Sequence, residues 1–266
     1  MVIDKLGSTQ LNYSEKRNLI EQSVRSPAPL RAAGVILPLF YSTGEFFFRL
    51  CKRSRLIPQA GDLSCPGGIL HEWQDRIIMS LVNGGVIPAM RNRAGILSRR
   101  RDAETFQTIC LFLANAIREA WEEIRLNPFS VHFLGPLPAY ALQHFRRIIF
   151  PMVCLSPAGL HFHPNYEVES VVDIPVSFFF DQENYATLVC EIDGTADSET
   201  TEPRSMPCLI YQDQTGMEHI LWGATFLIII SFLEIIFNFQ LPDCRNKRFV
   251  RKTINERYLA GEGKNR

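Results

Sequence analysis

The chain has 266 residues, of which 46% are hydrophobic and 21% charged, so a sizeable core can form and wholesale disorder is excluded. Its 28 basic and 28 acidic residues give a formal net charge of +0, which argues against a dedicated nucleic-acid binder because such proteins need surplus positive charge. The seven cysteines form no C-x-x-C pair, and the first residues lack the apolar stretch of a signal peptide. We therefore expect a reducing, cytoplasmic location.

The amino-terminal part of the chain predicts a short helix followed by a β-hairpin. Residues Ser14 to Val24 have a helical pattern that ends before a proline-rich turn, and residues 1–30 are interpreted as a helical extension. Two apolar runs follow, from Gly34 to Tyr41 and from Glu45 to Cys51. Because a glycine-containing turn separates them, they predict an antiparallel hairpin.

The segment from Asp75 to Glu104 differs from its surroundings in charge. It contains only three acids but six arginines, which are Arg76, Arg91, Arg93, Arg99, Arg100 and Arg101. Apolar residues recur at helical spacing ahead of a Gly84-Gly85 break, which predicts a helical insertion over about residues 75–108. An exposed helical face is the simpler role for the arginines, and recognition of a phosphate or a partner surface is the alternative.

The second half of the chain predicts one long helix and then several strands. The helical pattern from Glu104 to Leu126 stops at Asn127-Pro128, since proline cannot continue a helix. Strands are expected at Val131–Leu134, Ile148–Leu155 and Val168–Ile174. A second hairpin is expected to pair Cys208–Tyr211 with His219–Trp222, after an acidic mobile loop at Asp193–Pro207.

The very apolar segment Phe226–Phe239 requires a choice between a buried helix and a membrane span. A bilayer span needs about 20 consecutive apolar residues, and here Ser231, Glu234 and Asn238 interrupt the run. We therefore predict a buried helix and no stable membrane insertion, with membrane contact as the alternative. The charged tail at residues 243–266 is expected to fray.

The strongest chemical signal is the string Arg118-Glu119-Ala120-Trp121-Glu122-Glu123. On a helix, Glu119, Glu122 and Glu123 stand at positions i, i+3 and i+4 and share one face. Like charges at this spacing repel, so a positive group should offset them. A hard divalent cation such as Mg²⁺ or Mn²⁺ fits because it prefers oxygen ligands, and a solvated acidic face is the simpler alternative.

Together with Pro66-Gly67-Gly68, this helix resembles the Nudix box, G-x5-E-x7-R-E-U-x-E-E-x-G-U, where U is aliphatic. The second part of the box matches at Arg118, Glu119, Glu122, Glu123 and Leu126. Arg125 stands where the family has glycine, which leaves the geometry of the helix end open. The early glutamate of the motif has no clear match, since Gln74 occupies its formal position and Glu72 and Asp75 lie near it. About 36 residues more than the motif contains separate Gly68 from Arg118, so we interpret the box as split by the basic insertion.

A wider stretch is similar to the coenzyme A pyrophosphatase branch of this family, with its L-x-x-R-S-x-x-L…G-Q-x-x-F-P-G-G signature. The matching residues are Leu50, Arg53, Ser54, Gly61, Pro66, Gly67 and Gly68. Gln59, Asp62 and Cys65 replace the histidine, glutamine and phenylalanine that are usual in the branch. The resemblance covers roughly residues 33–240, with the insertion unmatched.

The resemblance implies a Nudix-type α/β/α sandwich with a mixed sheet over residues 31–242, with terminal helices and the helical insertion added. It also implies which side chains carry the chemistry. The implied catalytic residues are Arg118, Glu119, Glu122 and Glu123, and the three glutamates are also the implied ligands of Mg²⁺ or Mn²⁺. The implied substrate-binding residues are Lys52, Arg53, Gly67 and Gly68. Arg118 would brace the loop through an ion pair, and the identity of the general base stays open. Glu167 either assists the metal or the general base, or is a surface acid on an edge strand.

The activity implied is hydrolysis of a substrate in which a nucleoside diphosphate is linked to another group. Coenzyme A or acyl-coenzyme A is the leading substrate, cleaved to adenosine 3′,5′-bisphosphate and a 4′-phosphopantetheine product. ADP-ribose or NADH is the alternative substrate, and a non-catalytic binding module is the alternative function. The expected partner is thus a small nucleotide diphosphate and no nucleic acid, and a homodimer stays open.

Overall fold

The computed structural model describes residues 1–142, 145–159, 162–192, 204–245, 247–254 and 258, and within them it has six α-helices and twelve strands. The helices are α1 (Val2–Ser8), α2 (Tyr13–Ser23), α3 (Glu72–Asn83), α4 (Arg93–Arg99), α5 (Ala103–Ile124) and α6 (Gly223–Phe237). The first eight strands are β1 (Arg31–Ser42), β2 (Glu45–Arg53), β3 (Leu63–Ser64), β4 (Gly67–Ile69), β5 (His132–Pro136), β6 (Tyr140–Leu142), β7 (Arg147–Leu155) and β8 (Val168–Pro175). The last four are β9 (Tyr185–Ile192), β10 (Arg204–Gln212), β11 (Glu218–Leu221) and β12 (Phe249–Ile254).

The first eight strands form one mixed sheet. Its main path runs β3-β2-β1-β7-β5, with β4 paired to β1, β6 to β7 and β8 to β2. The predicted hairpin is confirmed as β1 and β2, which are antiparallel with Leu39 opposite Phe48. Strand β7 adds in parallel on the other side of β1, where Val35 lies opposite Pro151. The sheet is therefore mixed, as expected.

Helices cover this sheet on both sides, because β1 directs apolar side chains alternately to its two faces. Val35 and Leu37 join a core with α6, whereas Ile36 joins a core with α5. The expected α/β/α sandwich is confirmed. The apolar segment is also confirmed as a buried helix, since the α6 residues Ile229 and Leu233 are completely buried. Among the residues described, no helix combines the length and the apolar character needed to cross a bilayer.

The insertion is helical, as predicted, and it is attached to the amino-terminal extension. It comprises α3, α4 and the start of α5. Arg101 donates hydrogen bonds to the carbonyl groups of Leu6 and Gly7, and Arg93 forms an ion pair with Asp4 in α1. Two of the insertion's arginines therefore hold helices together. The extension contains the predicted helix as α2, whereas α1 was not predicted.

A second sheet, in the order β11-β10-β9-β12, packs beside the first. The hairpin β10–β11 is confirmed. The expectation that the tail frays is wrong for Phe249–Ile254, because this strand pairs in parallel with β9 and buries Ile254. The expected acidic loop lies outside the described residues at 193–203, and its last residues belong to β10. The domain limits at residues 30 and 242 stay predictions.

Candidate functional site

Helix α5 presents the acidic residues, and both of its ends have clear capping contacts. At its start, the Asp102 carboxylate accepts a hydrogen bond from the Thr105 N–H at 2.8 Å. At its end, Arg125 adopts the left-handed conformation, with φ of 58°, and the Leu126 N–H bonds back to the Ala120 carbonyl at 3.2 Å. Glycine commonly occupies such a position because it has no Cβ to strain. The arginine thus accepts a backbone conformation that suits glycine, and the helix ends in a regular cap.

Two glycines allow β4 to lie close to both β1 and α5. Gly67 has φ of 153°, and a Cβ atom there would stand 2.4 Å from the Gly34 carbonyl oxygen. A Cβ atom on Gly68 would stand 2.5 Å from the carboxyl carbon of Glu119. Any larger residue at Gly68 would therefore displace this carboxylate. The two glycines position β4 directly against the acidic face of α5.

Arg118 is the centre of a buried ionic network on this face. Its guanidinium donates to Asp75 at 2.7 Å and also contacts Glu119 at 2.8 Å and Glu122 at 3.1 Å. The Arg118 side chain is 8% exposed and that of Asp75 is fully buried. A buried charge is stable only when it is paired and hydrogen-bonded, so this network constrains the arginine strongly. The ion pair with Asp75 thus joins Arg118 of α5 to the first turn of α3, and the bracing role that the resemblance implies stays a prediction.

Asp75 is this partner of Arg118, and sequence analysis noted it only as an acid near the position of the early glutamate. Its carboxylate also accepts hydrogen bonds from the His71 N–H at 2.7 Å and from the Asn115 side-chain amide at 3.0 Å. It thereby joins the first turn of the insertion helix to the middle of α5. Asp75 lies one residue after Gln74, in the first turn of α3. An acid at the start of this helix was therefore the sequence feature that could have identified the partner of Arg118.

The two inner carboxylates have raised pKa values. Burial raises the pKa of Glu119 to about 7 even though Arg118 opposes the change. Burial and the charge of Glu119 raise the pKa of Glu123 to about 8, although this carboxylate accepts a hydrogen bond from the Gly67 N–H at 3.2 Å. The positive charge of Arg118 near Glu119 and of Arg53 near Glu123 therefore does not offset the burial of the two carboxylates. An additional cation would stabilise their ionised forms.

These carboxylates line a pocket of about 370 Å³ that opens beside α5. Its lining residues are His71, Gln74, Arg118, Glu119, Glu122, Glu123, Asn165, Tyr166 and Glu167. Several carboxylate oxygens around one small space form the donor set that a hard divalent cation prefers. In the part of the chain that the structure describes, no three His, Cys, Asp or Glu side chains are grouped closely enough to hold an ion as they stand. The ion pairs of Arg118 with Glu119 and Glu122 compete with such a grouping.

Glu167 is brought to this pocket by the turn that precedes β8. The Asn165 N–H donates to the Glu123 carbonyl at 2.8 Å, and the Asn165 side chain accepts from the Glu167 N–H, also at 2.8 Å. The turn is thus attached directly to α5. Of the two roles that sequence analysis left open for Glu167, a place at the site fits this geometry.

A second, larger cavity of about 790 Å³ lies against the same β4 residues, Gly67 and Gly68. Its walls are mainly apolar and include residues of β1, β7 and α6. Arg53 lines the cavity, after an irregularity in the β2–β8 pairing. Lys52 does not line either pocket, because its ammonium group binds Glu169 at 2.7 Å. Of the two expected basic substrate-binding residues, the structure brings only Arg53 to the site.

Comparisons with known proteins show similarity to Nudix hydrolases. No family model matches the chain. Over 147 residues the chain is 28% identical to Nudix hydrolase 22, chloroplastic, from Arabidopsis thaliana, covering 54% of this chain and 43% of that protein. Over 67 residues it is 39% identical to the uncharacterized Nudix hydrolase NudL of Citrobacter koseri, covering 24% of this chain and 34% of that protein. The matches thus span less than half the length of each relative.

Two solved structures are also similar to the chain. A NUDIX hydrolase from Nitrosomonas europaea has a TM-score of 0.39 and 12% identity, covering 85% of this chain and 80% of that one. The C. elegans Ap4A hydrolase has a TM-score of 0.36 and 11% identity, covering 56% of this chain and 82% of that one. Similarity at this level carries no functional argument. The names of the two curated relatives support the Nudix hydrolase family for this chain.

Proposed function

We propose that the chain is a metal-dependent diphosphatase that hydrolyses a nucleoside diphosphate linked to another group. The observation that carries this proposal is the pocket where four glutamates, Glu119, Glu122, Glu123 and Glu167, surround a small polar space. A non-catalytic protein gains nothing from placing repelling carboxylates together, two of them with raised pKa values. The names of the two curated relatives point to the same reaction class.

The proposed metal is Mg²⁺ or Mn²⁺, held by Glu119, Glu122 and Glu123. When bound, such an ion neutralises the diphosphate and makes water a better nucleophile. Arg118 would hold Glu119 and Glu122 in place through its ion pairs, while Asp75 fixes Arg118. Any of the pocket's carboxylates could take the proton from water, and the base among them stays open.

Coenzyme A or an acyl derivative is the proposed substrate, cleaved to adenosine 3′,5′-bisphosphate and a 4′-phosphopantetheine product. The 790 Å³ cavity supports this choice because it offers a mainly apolar space against Gly67 and Gly68, the β4 residues that adjoin the carboxylates. Arg53 stands where it can meet a substrate phosphate. Its charge also opposes the rise that burial causes in the pKa of Glu123, so it lies within electrostatic reach of the carboxylates.

A substrate panel tests the proposal. Coenzyme A, acetyl-coenzyme A, dephospho-coenzyme A, ADP-ribose and NADH would be incubated with Mg²⁺ or Mn²⁺, and again with chelator. We expect release of adenosine 3′,5′-bisphosphate from coenzyme A, and no release with chelator. Turnover of ADP-ribose or NADH alone would support a diphosphatase that acts on one of these alternative substrates instead of coenzyme A. A folded protein that cleaves none of the five would overturn the proposal and favour a binding module.

We propose a reducing compartment, such as the cytoplasm, for this activity. All seven cysteines are buried and unpaired. Free thiols are the usual state in a reducing compartment. Expression of a fluorescent fusion and measurement of thiol oxidation in the recovered protein would check the location.

A further inference from the structure

The larger cavity contains acidic side chains that would repel an anionic substrate. Asp62 and Glu191 are the acids among its described lining residues. The Asp62 side chain is only 13% exposed, so water screens its charge weakly. A cavity that receives a diphosphate compound must neutralise such a carboxylate.

The carboxyl-terminal segment provides the neutralising groups. The Lys252 ammonium in β12 forms an ion pair with Asp62, and the Tyr258 hydroxyl donates to the same carboxylate. The Trp222 indole N–H donates to the Asp62 Oδ1 atom at 3.1 Å. The second acid, Glu191 in β9, forms an ion pair with Arg251 in β12, with 3.7 Å between the guanidinium nitrogen and the carboxylate oxygen.

Aromatic contacts hold the ammonium group in this position. The Lys252 nitrogen lies 5.3 Å from the Trp222 ring centroid and 5.4 Å from that of Tyr258. The two rings are nearly parallel, with an interplanar angle of 17°. Since cation–π contacts favour a fixed position for a cation, the lysine is pre-organised over Asp62.

We propose that the carboxyl-terminal segment sets the charge of the substrate cavity, with Lys252 as the positioning residue that neutralises Asp62 and thereby permits an anionic ligand to bind. The inference rests on the proposed function in one respect, namely that the cavity receives part of a nucleotide diphosphate. It concerns affinity for the ligand, and it assigns Lys252 no contact with the reacting atoms.

The test measures binding of ADP in the presence of Mg²⁺, followed by Trp222 fluorescence in the full-length chain. Trp73 and Trp121 are 74% and 43% exposed, so Trp73→Phe and Trp121→Phe leave Trp222 as the single reporter. In this background we expect Lys252→Met to weaken ADP binding about tenfold, because an unpaired carboxylate then faces the anion. Lys252→Arg keeps the charge and should bind ADP within about twofold of the parent.

The double variant Asp62→Asn/Lys252→Met separates charge neutralisation from simple packing. It removes both charges and should restore affinity to within about twofold of the parent, whereas lost packing would not be restored. Lys247→Met is the matched control, since Lys247 lies ahead of the same strand but pairs with Glu183 away from the cavity. Asp62→Asn alone should tighten binding, and it keeps the test valid if Lys252→Met does not fold.

Three results would overturn the inference. They are unchanged affinity in Lys252→Met, no recovery in the double variant, and absence of an ADP response in the parent. Hydrolysis is assayed separately on the same preparations. A parent that binds ADP through this cavity but cleaves no diphosphate would overturn the proposed function and leave this inference standing.

Discussion

The carboxylate pocket and the larger cavity both contact β4, but they are assembled from very different parts of the sequence. The pocket takes its main residues from consecutive turns of one helix, at Arg118, Glu119, Glu122 and Glu123. The cavity is lined by Asp62, whose ion-pair partner Lys252 lies 190 residues away in the chain. Helical periodicity encodes the first arrangement locally, whereas the second arises only when the whole chain has folded. The residues of the carboxylate pocket can therefore be predicted from the sequence more readily than the residues that determine which ligand the larger cavity accepts.

The same distinction explains which predictions succeeded. Regular elements such as the β1–β2 hairpin and α5 follow from local patterns, and the structure confirms them. Sequence analysis noted Asp75 as an acid near the position of the early glutamate but did not predict its pair with Arg118, since the two residues lie 43 positions apart in the chain. Lys52 was expected, with Arg53, to meet substrate phosphates, yet the pairing of β2 with β8 is irregular between the two residues and only Arg53 lines the cavity.

The carboxyl-terminal strand could not be predicted from its composition. It lies in a segment rich in charged residues from Asp243 onward, and such a composition usually indicates an exposed, fraying tail. Here β12 pairs in parallel with β9, and its Ile254 joins a small apolar cluster with Leu188. The role of Lys252 depends in turn on Asp62, which belongs to a distant loop.

The largest effect is expected from breaking the network beneath the pocket. Asp75→Asn leaves the buried Arg118 charge without its main partner and should lower the free energy of unfolding by about 3 kcal/mol. Urea denaturation would measure the loss. Glu169→Gln, which breaks the more exposed pair with Lys52, is the control and should cost at most about 1 kcal/mol. Equal losses in the two variants would contradict a special role for Asp75.

A smaller change at β4 should alter activity more than stability. Gly68→Ala introduces a Cβ atom 2.5 Å from the Glu119 carboxyl carbon, so this flexible side chain must move. We expect kcat/KM for metal-dependent hydrolysis to fall about tenfold, or roughly 1.4 kcal/mol in transition-state stabilisation. Gly159→Ala has open space around it and serves as the control. Unchanged kinetics in Gly68→Ala would show that the position of Glu119 is unimportant.

The raised pKa values predict how stability depends on pH without metal. Folding raises the pKa of Glu119 from 4.5 to about 7 and that of Glu123 from 4.5 to about 8. Between pH 4.5 and 8 the folded chain therefore binds more protons than the unfolded chain. The free energy of unfolding should therefore fall as pH rises from 4.5 to 8, by up to about 2.7 kcal/mol per pH unit while both carboxylates differ in protonation and by up to about 1.4 kcal/mol per pH unit between 7 and 8. Thermal unfolding in chelator would measure the slope. Glu123→Gln should flatten it, and a stability that rises over this interval would contradict the assigned shifts.

The smallest effect concerns the end of α5. Arg125→Gly places the residue best suited to the left-handed conformation at φ of 58° and should raise the free energy of unfolding by about 0.5 kcal/mol. The gain is limited because the arginine also contacts the Trp121 ring, with 5.3 Å between the guanidinium carbon and the ring centroid. Chemical denaturation would detect it. A loss of stability would show that this contact outweighs the backbone strain.

The most direct test of the central claim is hydrolysis of coenzyme A by Glu122→Gln in saturating Mg²⁺. Glu122 is half exposed, so we expect its substitution to leave the fold intact while it removes a proposed metal ligand and one of the three ion pairs of Arg118. Glu104→Gln, at the far end of the same helix, is the matched control. We predict that Glu122→Gln loses at least about a hundredfold in kcat/KM, a magnitude usual for a residue that acts on the transition state, while Glu104→Gln is unchanged. Equal activity in both variants would show that the acidic face of α5 is not the metal-dependent site.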